Sequence, residues 1–391
     1  MKANRNLLLD LGRQPRCFDF QKNKSEDIQL FDLKLKQSKS SGLISIENPI
    51  PPQNLMPTFD WIVNKEPDEH SNIVAEESIK HLKSNDGKIL FLTNFDYKSY
   101  LITYQKIGSR ANLLKLNKNN SDYINQATIE QRILNAFKKD LKSHLNKYEV
   151  LVCSRLIEHS NDLSKLLECI SQFLKFDGKI IVEIPDSTKP LLQGDVGMIW
   201  EEHINYFTPE SLKLEFNENG FSNYSCSTIS YPQEDALIGV FYKQNFDNVI
   251  STKLPIGEYE IANVFKRKII NIKAKIKGFL SKFKGTGKKI AFFGAGHRAV
   301  MFINVLKIKD YIDFVVDDDP HKSKLYLPLS NLEIKKTNDV DWNEVGLCIS
   351  AVSLPIEEKI RLKLSKLTKN ELLFFSISPD SDFLLPIFRE I

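Results

Sequence analysis

Short apolar runs alternate with stretches of helical spacing, and this alternation constrains the fold more than any other feature of the chain. KILFL at 88–92, EVLVC at 149–153 and KIIVEI at 179–184 have the length of buried strands. Four similar runs, KIAFF, IDFVV, LCISA and LLFFS, follow after residue 288. Strands that alternate with helices favour parallel sheets covered by helices on both faces. The sequence therefore predicts an α/β protein with two Rossmann-like units.

The pattern of apolar, charged and turn-forming residues along the chain divides it into four regions. Residues 1–75 are irregular and predict a small, loop-rich N-terminal module, in which 28–35 and 43–46 could pair as strands. Residues 76–250 and 289–391 carry the two α/β units. Residues 251–288 form a basic helical connector, whose apolar face comprises Ile272, Ile276, Phe279, Leu280 and Phe283. The connector is either a docked helix with a solvated basic face or a guide for an anionic ligand.

Composition excludes several classes of protein. The 391 residues carry a formal net charge of +4, which is too small an excess to indicate nucleic-acid binding. No apolar run is long enough for a signal peptide or a membrane-spanning helix. The cysteines are scattered and lack the spacing of metal ligands: Cys17, Cys153, Cys169, Cys226 and Cys348. Scattered free thiols suit a reducing compartment, so we expect a cytoplasmic protein.

The segment EEHINYFTPESL holds the first candidate catalytic group. His203 follows the carboxylates Glu201 and Glu202, and Tyr206 lies three residues further on. An imidazole titrates near neutral pH, and a neighbouring carboxylate can orient it for proton abstraction. The Tyr206 hydroxyl could donate to a developing oxyanion. The alternative is a helix-entry segment with ordinary surface charges.

The second candidate group is LIEHSND, which directly follows the strand EVLVC. It contains Glu158, His159 and Asp162. In an open parallel sheet, ligands bind beyond the carboxyl ends of the strands, which is where His159 should lie. The alternative is a loop that caps the next helix.

The third candidate is the turn GAGHRA at 294–299, between a predicted strand and a predicted helix. Gly294 and Gly296 would let backbone amides approach a phosphate at the helix N-terminus. The dinucleotide fingerprint is only partial, because Ala299 occupies its third glycine position. Asp317 supplies an acidic residue at about the expected separation of 20 residues. The same turn is also common as architecture alone.

In their order along the chain, these motifs resemble the sugar C-methyltransferases, which modify nucleotide-linked deoxyketosugars. LLLDLGRQPRCFDF resembles the opening segment of that family, and LKLKQSKSSGLISIENPIPPQNL resembles its zinc-module hairpin. LVCSRLIEHSNDLSKLLECISQFLKFDGKIIVEIPD resembles the second half of its methyltransferase domain, and EEHINYF the segment with its catalytic histidine. FFGAGHRAVMFINVL and FVVDDDPHKSKLYLP resemble its C-terminal domain. The resemblance covers nearly the whole chain.

The resemblance implies a reaction and assigns residues to it. His203 would remove a proton from the sugar carbon beside a ketone, Glu202 would hold or polarise His203, and His159 would face the substrate or its enolate. The enolate would then attack the methyl group of S-adenosylmethionine. A tyrosine commonly stands three positions before the catalytic histidine, and here that position is Trp200. A surface-polysaccharide or natural-product pathway is also implied.

The chain departs from the family pattern in the zinc module. Ser38 and Ser41 stand where the C-x-x-C pair of the hairpin would lie. A serine hydroxyl stays protonated, and zinc sites favour cysteine and histidine. We therefore expect no metal in this module.

A second departure affects the cofactor loop, KILFLTNFDYKSYL. Thr93 and Tyr97 occupy the expected glycine positions, and Asp96 is the acidic residue that remains. The next strand usually ends in an acid that binds the ribose hydroxyls, but ANLLKLNKNN offers only Asn117. Thr93, Asp96 and Asn117 are the candidate residues for S-adenosylmethionine, and the losses around them put its binding in doubt.

Three hypotheses follow. In the first, the protein is a methyltransferase that acts on a nucleotide-linked sugar with an atypical cofactor loop. In the second, the methyltransferase domain is a scaffold without cofactor, which binds a sugar nucleotide or a partner enzyme or catalyses cofactor-free epimerisation. In the third, the C-terminal unit is an NAD-binding oxidoreductase, although no catalytic Tyr–Lys or Cys partner is evident. We prefer the first, and the residues identify neither the sugar nor the position modified.

Overall fold

A computed structural model gives the fold of the chain and describes residues 5–24, 27–55, 58–62, 70–114, 128–137, 141–230, 234–243 and 255–389. Three β-sheets of four, six and five strands organise these residues. Within the same ranges, no helix is both long enough and apolar enough to cross a membrane.

The first sheet is antiparallel and ties the N-terminal region to the middle of the chain. Its strands are, in spatial order, β1 Arg5–Gln14, β2 Phe31–Ser38, β3 Ile44–Ile46 and β8 Asn205–Tyr206. The last of these belongs to the segment EEHINYF. Because Ile44 pairs with Tyr206, the N-terminal region holds this candidate catalytic segment in place.

The second sheet forms the first α/β unit. Its strands are β4 Ile89–Phe91, β5 Ala111–Leu113, β6 Tyr148–Ser154, β7 Leu174–Pro185, β9 Phe221–Ile229 and β10 Ala236–Lys243. The spatial order is β5-β4-β6-β7-β10-β9, in which the first four strands are parallel and β10 is antiparallel to both its neighbours. The carboxyl ends of β4, β6 and β7 therefore meet at one edge, which is the ligand edge of such sheets.

Helices cover this sheet. They are α1 Ser71–Lys80, α2 Tyr97–Ile107, α3 Ile129–Ala136, α4 Leu141–His144, α5 Leu163–Ser171, α6 Thr188–Gln193 and α7 Pro209–Glu218. Two apolar clusters, one on each face of the sheet, form the core of the unit. The fold is therefore the class I methyltransferase-like arrangement of a central, mostly parallel sheet between helices.

The third sheet is wholly parallel and forms the C-terminal unit. Its strands are β11 Lys289–Phe293, β12 Phe314–Val316, β13 Ile334–Lys335, β14 Val345–Ser350 and β15 Leu373–Ser376, in the spatial order β13-β12-β11-β14-β15. Its two helices within the described residues are α9 His297–Leu306 and α10 Leu354–Ser365. The prediction of a second Rossmann-like unit is confirmed.

The long helix α8, Ile256–Lys284, packs into a core that the N-terminal sheet and the C-terminal unit share. Ile272, Ile276 and Leu280 are fully or nearly fully buried, and Phe279 and Phe283 pack against the same core. The predicted apolar face of the connector is confirmed. Because one core joins these parts, side chains from the N-terminal region and from the C-terminal unit can line the same cavity.

Three differences separate the observed elements from the predicted ones. Strand β1 lies in a region predicted to be irregular, and its two register shifts explain the weak alternation of its sequence. The antiparallel strands β9 and β10 were outside the prediction, which considered only strands that alternate with helices. The apolar spacing of residues 129–145 predicts one amphipathic helix, whereas the described part of this range has the two helical segments α3 and α4.

Candidate functional site

Two glycines shape the GAGHRA turn between β11 and α9. Gly294 has a φ of +97°, and a Cβ there would come within 3.3 Å of the Val352 side chain. Gly296 is the N-cap residue of α9, no side chain caps the helix at this position, and open space lies where its Cβ would be. The amides and the positive end of the helix dipole at the start of α9 are therefore accessible to a ligand.

A cavity of about 200 Å³ lies in front of this turn. Its lining includes Phe20, Trp61, Trp200, His297, Asp319 and Lys322. The Trp61 indole lies 5.9 Å from the Phe20 ring and stacks on the His321 imidazole, with centroids 5.4 Å apart. Aromatic faces, a lysine and a helix N-terminus together suit a ligand that carries both a flat ring and a phosphate.

Asp317, the acidic residue predicted to follow the glycine turn, is bonded within the turn itself. Its Oδ2 accepts hydrogen bonds from the Ala295 amide at 2.8 Å and from Lys322 Nζ at 3.0 Å. Its Oδ1 accepts from the Asp319 amide at 3.0 Å. Since both oxygens already have donors, Asp317 is poorly placed to grip a ribose diol. These contacts weaken the hypothesis of an NAD-binding oxidoreductase.

A row of four aromatic rings connects this cavity to the predicted base. The His297 imidazole stacks on the Trp200 indole, with centroids 4.8 Å apart and planes 22° apart. The ring centroids of Trp200 and His203 lie 5.1 Å apart, and those of His203 and His159 lie 5.0 Å apart in an edge-to-face contact. The structure thus brings together all three candidate motifs, because each contributes one histidine to this row.

The three histidines of the row are neutral near pH 7. Burial lowers the pKa of His159 to about 4 and that of His297 to about 3. Burial is also the largest cause that lowers the pKa of His203 well below its ordinary value. His159 Nδ1 lies 2.7 Å from the carbonyl oxygen of Glu202. Because a carbonyl only accepts, Nδ1 carries the hydrogen and the lone pair of His159 is on Nε2.

The remaining residues of EEHINYF hold the segment in place. Glu201 is buried and accepts a hydrogen bond of 2.5 Å from the Cys17 amide, and burial raises its pKa to about 7. The buried Tyr206 hydroxyl lies 3.2 Å from the backbone nitrogen and 3.4 Å from the carbonyl oxygen of Trp200. These bonds occupy the hydroxyl that was predicted to donate to an oxyanion. Tyr206 therefore positions Trp200.

The turn between β4 and α2 is closed by its own side chains. The Thr93 amide donates to Asp96 Oδ2 at 2.9 Å, and the Asp96 amide lies 3.3 Å from Thr93 Oγ1, which completes a capping box. At the end of β6, the Ser154 amide donates to Asp96 Oδ1 at 3.2 Å, and the Ser154 carbonyl lies 3.0 Å from Thr93 Oγ1. Asp96 is fully buried, which raises its pKa to about 6.

These contacts differ from the predicted role of the loop. Thr93 and Asp96, which were predicted to hold the cofactor, instead bond to each other and to the end of β6. Asn117, the third predicted residue, lies outside the described residues.

Buried ion pairs occupy the same edge beside this turn. His70 Nε2 lies 2.8 Å from Glu183 Oε1, and Arg155 Nε donates to the same oxygen at 3.0 Å. Arg155 Nη1 donates to Glu234 Oε1 at 2.5 Å. Arg155 adopts a φ of +50° and is 2% exposed. The adjoining cavity, of about 240 Å³, is also lined by Ser71, Asn94, Phe95, Tyr97 and Lys98.

Hydroxyl groups close the hairpin that resembles a zinc module. Ser38 and Ser41 are fully buried, and the Ser41 amide donates to Ser38 Oγ at 3.3 Å. The Ser41 hydroxyl donates to the carboxylate of Glu215, on α7. Among the residues that the structure describes, no group of three or more histidine, cysteine or acidic side chains could hold a metal ion. Hydrogen bonds therefore hold this hairpin.

Family models match two parts of the chain. A methyltransferase-domain model matches residues 93–225, and a model of the C-methyltransferase C-terminal domain matches residues 252–349. No curated protein matches the chain at a significant level. The chain thus contains a methyltransferase domain followed by a C-methyltransferase C-terminal domain. At this general level the matches support methyltransferase activity that depends on S-adenosylmethionine and acts on a small molecule.

Solved methyltransferase structures are similar to part of the chain. An enzyme from Aquifex aeolicus is 10% identical, with a TM-score of 0.31, and covers 46% of this chain and 94% of its own. A methyltransferase from Archaeoglobus fulgidus is 13% identical, with a TM-score of 0.31, and the match covers 44% of this chain and 94% of the other. The 1,6-didemethyltoxoflavin-N1-methyltransferase of Burkholderia thailandensis is 8% identical, with a TM-score of 0.27, and covers 52% and 96%. Similarities this low carry no conclusion about ligand or substrate.

The described residues at the β4 edge do not fit S-adenosylmethionine. The usual loop offers glycine backbone to the cofactor, but no glycine lies between Gly87 and Gly108. The one acidic side chain of the turn, Asp96, is fully buried and accepts from two backbone amides. The domain that the methyltransferase model matches therefore lacks the loop surface on which its cofactor would rest.

Four residues that line the cavity at the GAGHRA turn or the cavity beside the β4 turn were not identified from sequence patterns. Lys322 and His297 lie in segments quoted for the family resemblance, but their types matched no binding motif. Arg155 and His70 could be found only from the fold, because their partner Glu183 is distant in sequence from both. A signal was present for His297, since a histidine in a glycine turn is a polar side chain at a ligand edge.

Proposed function

We propose that this protein removes a proton from the carbon beside the ketone of a nucleotide-linked sugar, with His203 as the base. The observation that carries the proposal is the aromatic row from His159 to His297, which links a neutral histidine to a ligand-sized cavity. The family matches support it, because C-methylation requires a carbon acid to be deprotonated first.

The nucleotide end of the substrate would occupy the cavity at the GAGHRA turn. Gly294 and Gly296 allow the phosphates to approach the start of α9, and Lys322, which also donates to Asp317, brings its ammonium group to the cavity wall. The faces of Phe20 and Trp61 suit a nucleobase. The sugar would then extend along Trp200 toward His203.

The reactive end would meet two neutral imidazoles. The depressed pKa of His203 keeps its lone pair available at neutral pH. Its protonated form is costly in a buried site, and the negative charge of the enolate offsets that cost. The Nε2 lone pair of His159 can accept a hydrogen bond from a sugar hydroxyl, while Glu202 fixes that tautomer through its backbone carbonyl.

The test is solvent deuterium incorporation into the sugar carbon, followed by NMR. Probes are dTDP- and UDP-linked 4-keto-6-deoxyhexoses in heavy water. We expect the wild-type protein to exchange the proton beside the ketone, and His203→Ala to slow the exchange by roughly 10²–10⁴-fold. Added imidazole should restore part of the rate if the variant lacks only its base. Full exchange by His203→Ala would refute the proposed base.

A second candidate function is binding of a sugar nucleotide without turnover. The closed edge at β4 favours it, because a scaffold needs no cofactor loop. In that case the same probes would bind with micromolar affinity, and neither the wild-type protein nor His203→Ala would exchange the proton.

A further inference from the structure

We infer that this protein completes its reaction without a methyl donor, so that the proton taken by His203 returns to the same carbon. The inference rests on the proposed function and concerns the fate of the enolate. It follows from the edge at β4 and β6, where the cofactor of a methyltransferase domain would lie and where this chain has built a closed, charged surface.

The step balances without a co-reactant. The carbon–hydrogen bond breaks, its proton moves to the His203 imidazole, and its electron pair forms the carbon–carbon double bond of the enolate while the ketone oxygen takes the charge. The reverse step restores the ketone and the neutral imidazole. If the proton on His203 exchanges with solvent before it returns to the original face, the result is hydrogen exchange at that carbon. Epimerisation would in addition require solvent to deliver a proton to the opposite face of the enolate.

The backbone amides of Thr93 and Ser154, at the ends of β4 and β6, are not available to a cofactor. Asp96 receives the Thr93 and Ser154 amides, which leaves these donors turned inward rather than toward the edge. Thr93 Oγ1 lies 3.0 Å from the Ser154 carbonyl, so the ends of β4 and β6 are tied to each other. Opening the turn to admit a cofactor would break these buried bonds together.

The cavity that remains at this edge is bordered by the buried ion pairs of Glu183. Widening it for an adenosine would separate Arg155 from that carboxylate and leave a buried charge without its partner. The bonds of Glu183 therefore limit how far this cavity can widen.

The experiment combines turnover with direct binding on the full chain. The full chain is incubated with the same ketosugar nucleotides in heavy water, with and without S-adenosylmethionine. Mass spectrometry then measures the masses of the products. In parallel, equilibrium dialysis with radiolabelled S-adenosylmethionine measures binding directly. We expect the same rate of deuterium incorporation with and without the compound, no methylated product, and no retention of label at millimolar concentration.

The outcomes separate this inference from the proposed function. Deuterium exchange together with label retained at micromolar concentration, or with a methylated product, overturns the inference and leaves His203 as a base. Absence of both exchange and methylated product overturns the proposed function, and the inference falls with it. Tyr97→Gly places a glycine at one of the expected positions of the cofactor loop while Asp96 still closes the turn. This variant should therefore retain no more radiolabelled S-adenosylmethionine than the wild-type protein.

Discussion

The two α/β units share a strand–turn–helix arrangement and present opposite surfaces at it. In the C-terminal unit, Gly294 and Gly296 leave the start of α9 without a side-chain cap and in front of a cavity. In the methyltransferase domain, Thr93 and Asp96 cap the turn after β4 and tie it to β6. Topology is common to both, so the residues of one short turn decide whether a ligand reaches the backbone.

The comparison also explains why the site lies between the units. The open edge, at the GAGHRA turn, borders the cavity proposed for the nucleotide, and His159 follows β6 in the methyltransferase domain. The segment EEHINYF spans the gap, because β8 pairs with β3 and Tyr206 holds Trp200. The proposed catalytic and binding groups therefore come from different units and meet at Trp200.

The largest expected effect concerns the carboxyl group that anchors this segment. The folded pKa of Glu201, about 7, lies above its ordinary value of 4.5, so the protein is stabilised while this group is protonated. Stability should fall as pH rises from about 4.5 through about 7, by on the order of 3 kcal/mol from this group. Glu201→Gln should flatten that part of the pH profile.

Chemical denaturation between pH 5 and pH 8 measures this effect. The exposed Glu210→Gln is the matched control and should leave the profile unchanged. An unaltered pH profile in Glu201→Gln would show that the carboxyl group is ionised in the folded protein.

Lys322→Ala tests whether the cavity at the GAGHRA turn binds a nucleotide. Loss of a charged hydrogen-bond donor is expected to weaken binding of UDP or dTDP by roughly 10- to 100-fold, which corresponds to about 1.5–3 kcal/mol. Lys309→Ala removes the same charge from an exposed position of the C-terminal unit and should leave affinity unchanged. Calorimetric titration measures both, and equal affinities of the two variants would break the assignment.

A pair of substitutions tests the two turns against each other. Asp96→Asn should lower the free energy of unfolding by roughly 1–3 kcal/mol, because an amide cannot accept from both the Thr93 and Ser154 amides as the carboxylate does. Gly294→Ala should cost about 1–2 kcal/mol, because its φ of +97° strains any residue with a Cβ. Only the second should weaken nucleotide binding. Weaker nucleotide binding by Asp96→Asn would contradict a purely structural role for that turn.

The smallest expected effect is that of metal removal. Ser38, Ser41 and Glu215 hold the hairpin by hydrogen bonds, so chelation by EDTA should leave the melting temperature unchanged. A fall in melting temperature that added zinc reverses would contradict this account of the hairpin.

Sequence patterns predicted the two Rossmann-like units, because buried strands such as β6 and β14 are short apolar runs that helices separate. They also pointed to His159 and His203, whose ring centroids lie 5.0 Å apart in the structure. The cofactor loop was recognised as atypical from its missing glycines. Local sequence carried these features, since each depends on residues within one element or turn.

Contacts between residues that are distant in sequence could not be predicted from sequence patterns. Arg155 meets Glu183 from the next strand, and His70 reaches the same carboxylate from the start of α1. The Tyr206 hydroxyl was predicted to be able to donate to a developing oxyanion, but in the structure it lies 3.2 Å from the backbone nitrogen of Trp200. Such pairings depend on how the elements pack, and no spacing in the sequence encodes them.

The most direct test of the contrast between the two edges is a pair of calorimetric titrations of one preparation of the full chain. One titrant is UDP or dTDP, and the other is S-adenosylmethionine. We predict that a nucleoside diphosphate binds with a micromolar dissociation constant, about −8 kcal/mol, that Lys322→Ala weakens this binding, and that S-adenosylmethionine releases no heat up to millimolar concentration. Tight binding of S-adenosylmethionine without binding of either nucleotide would contradict the account.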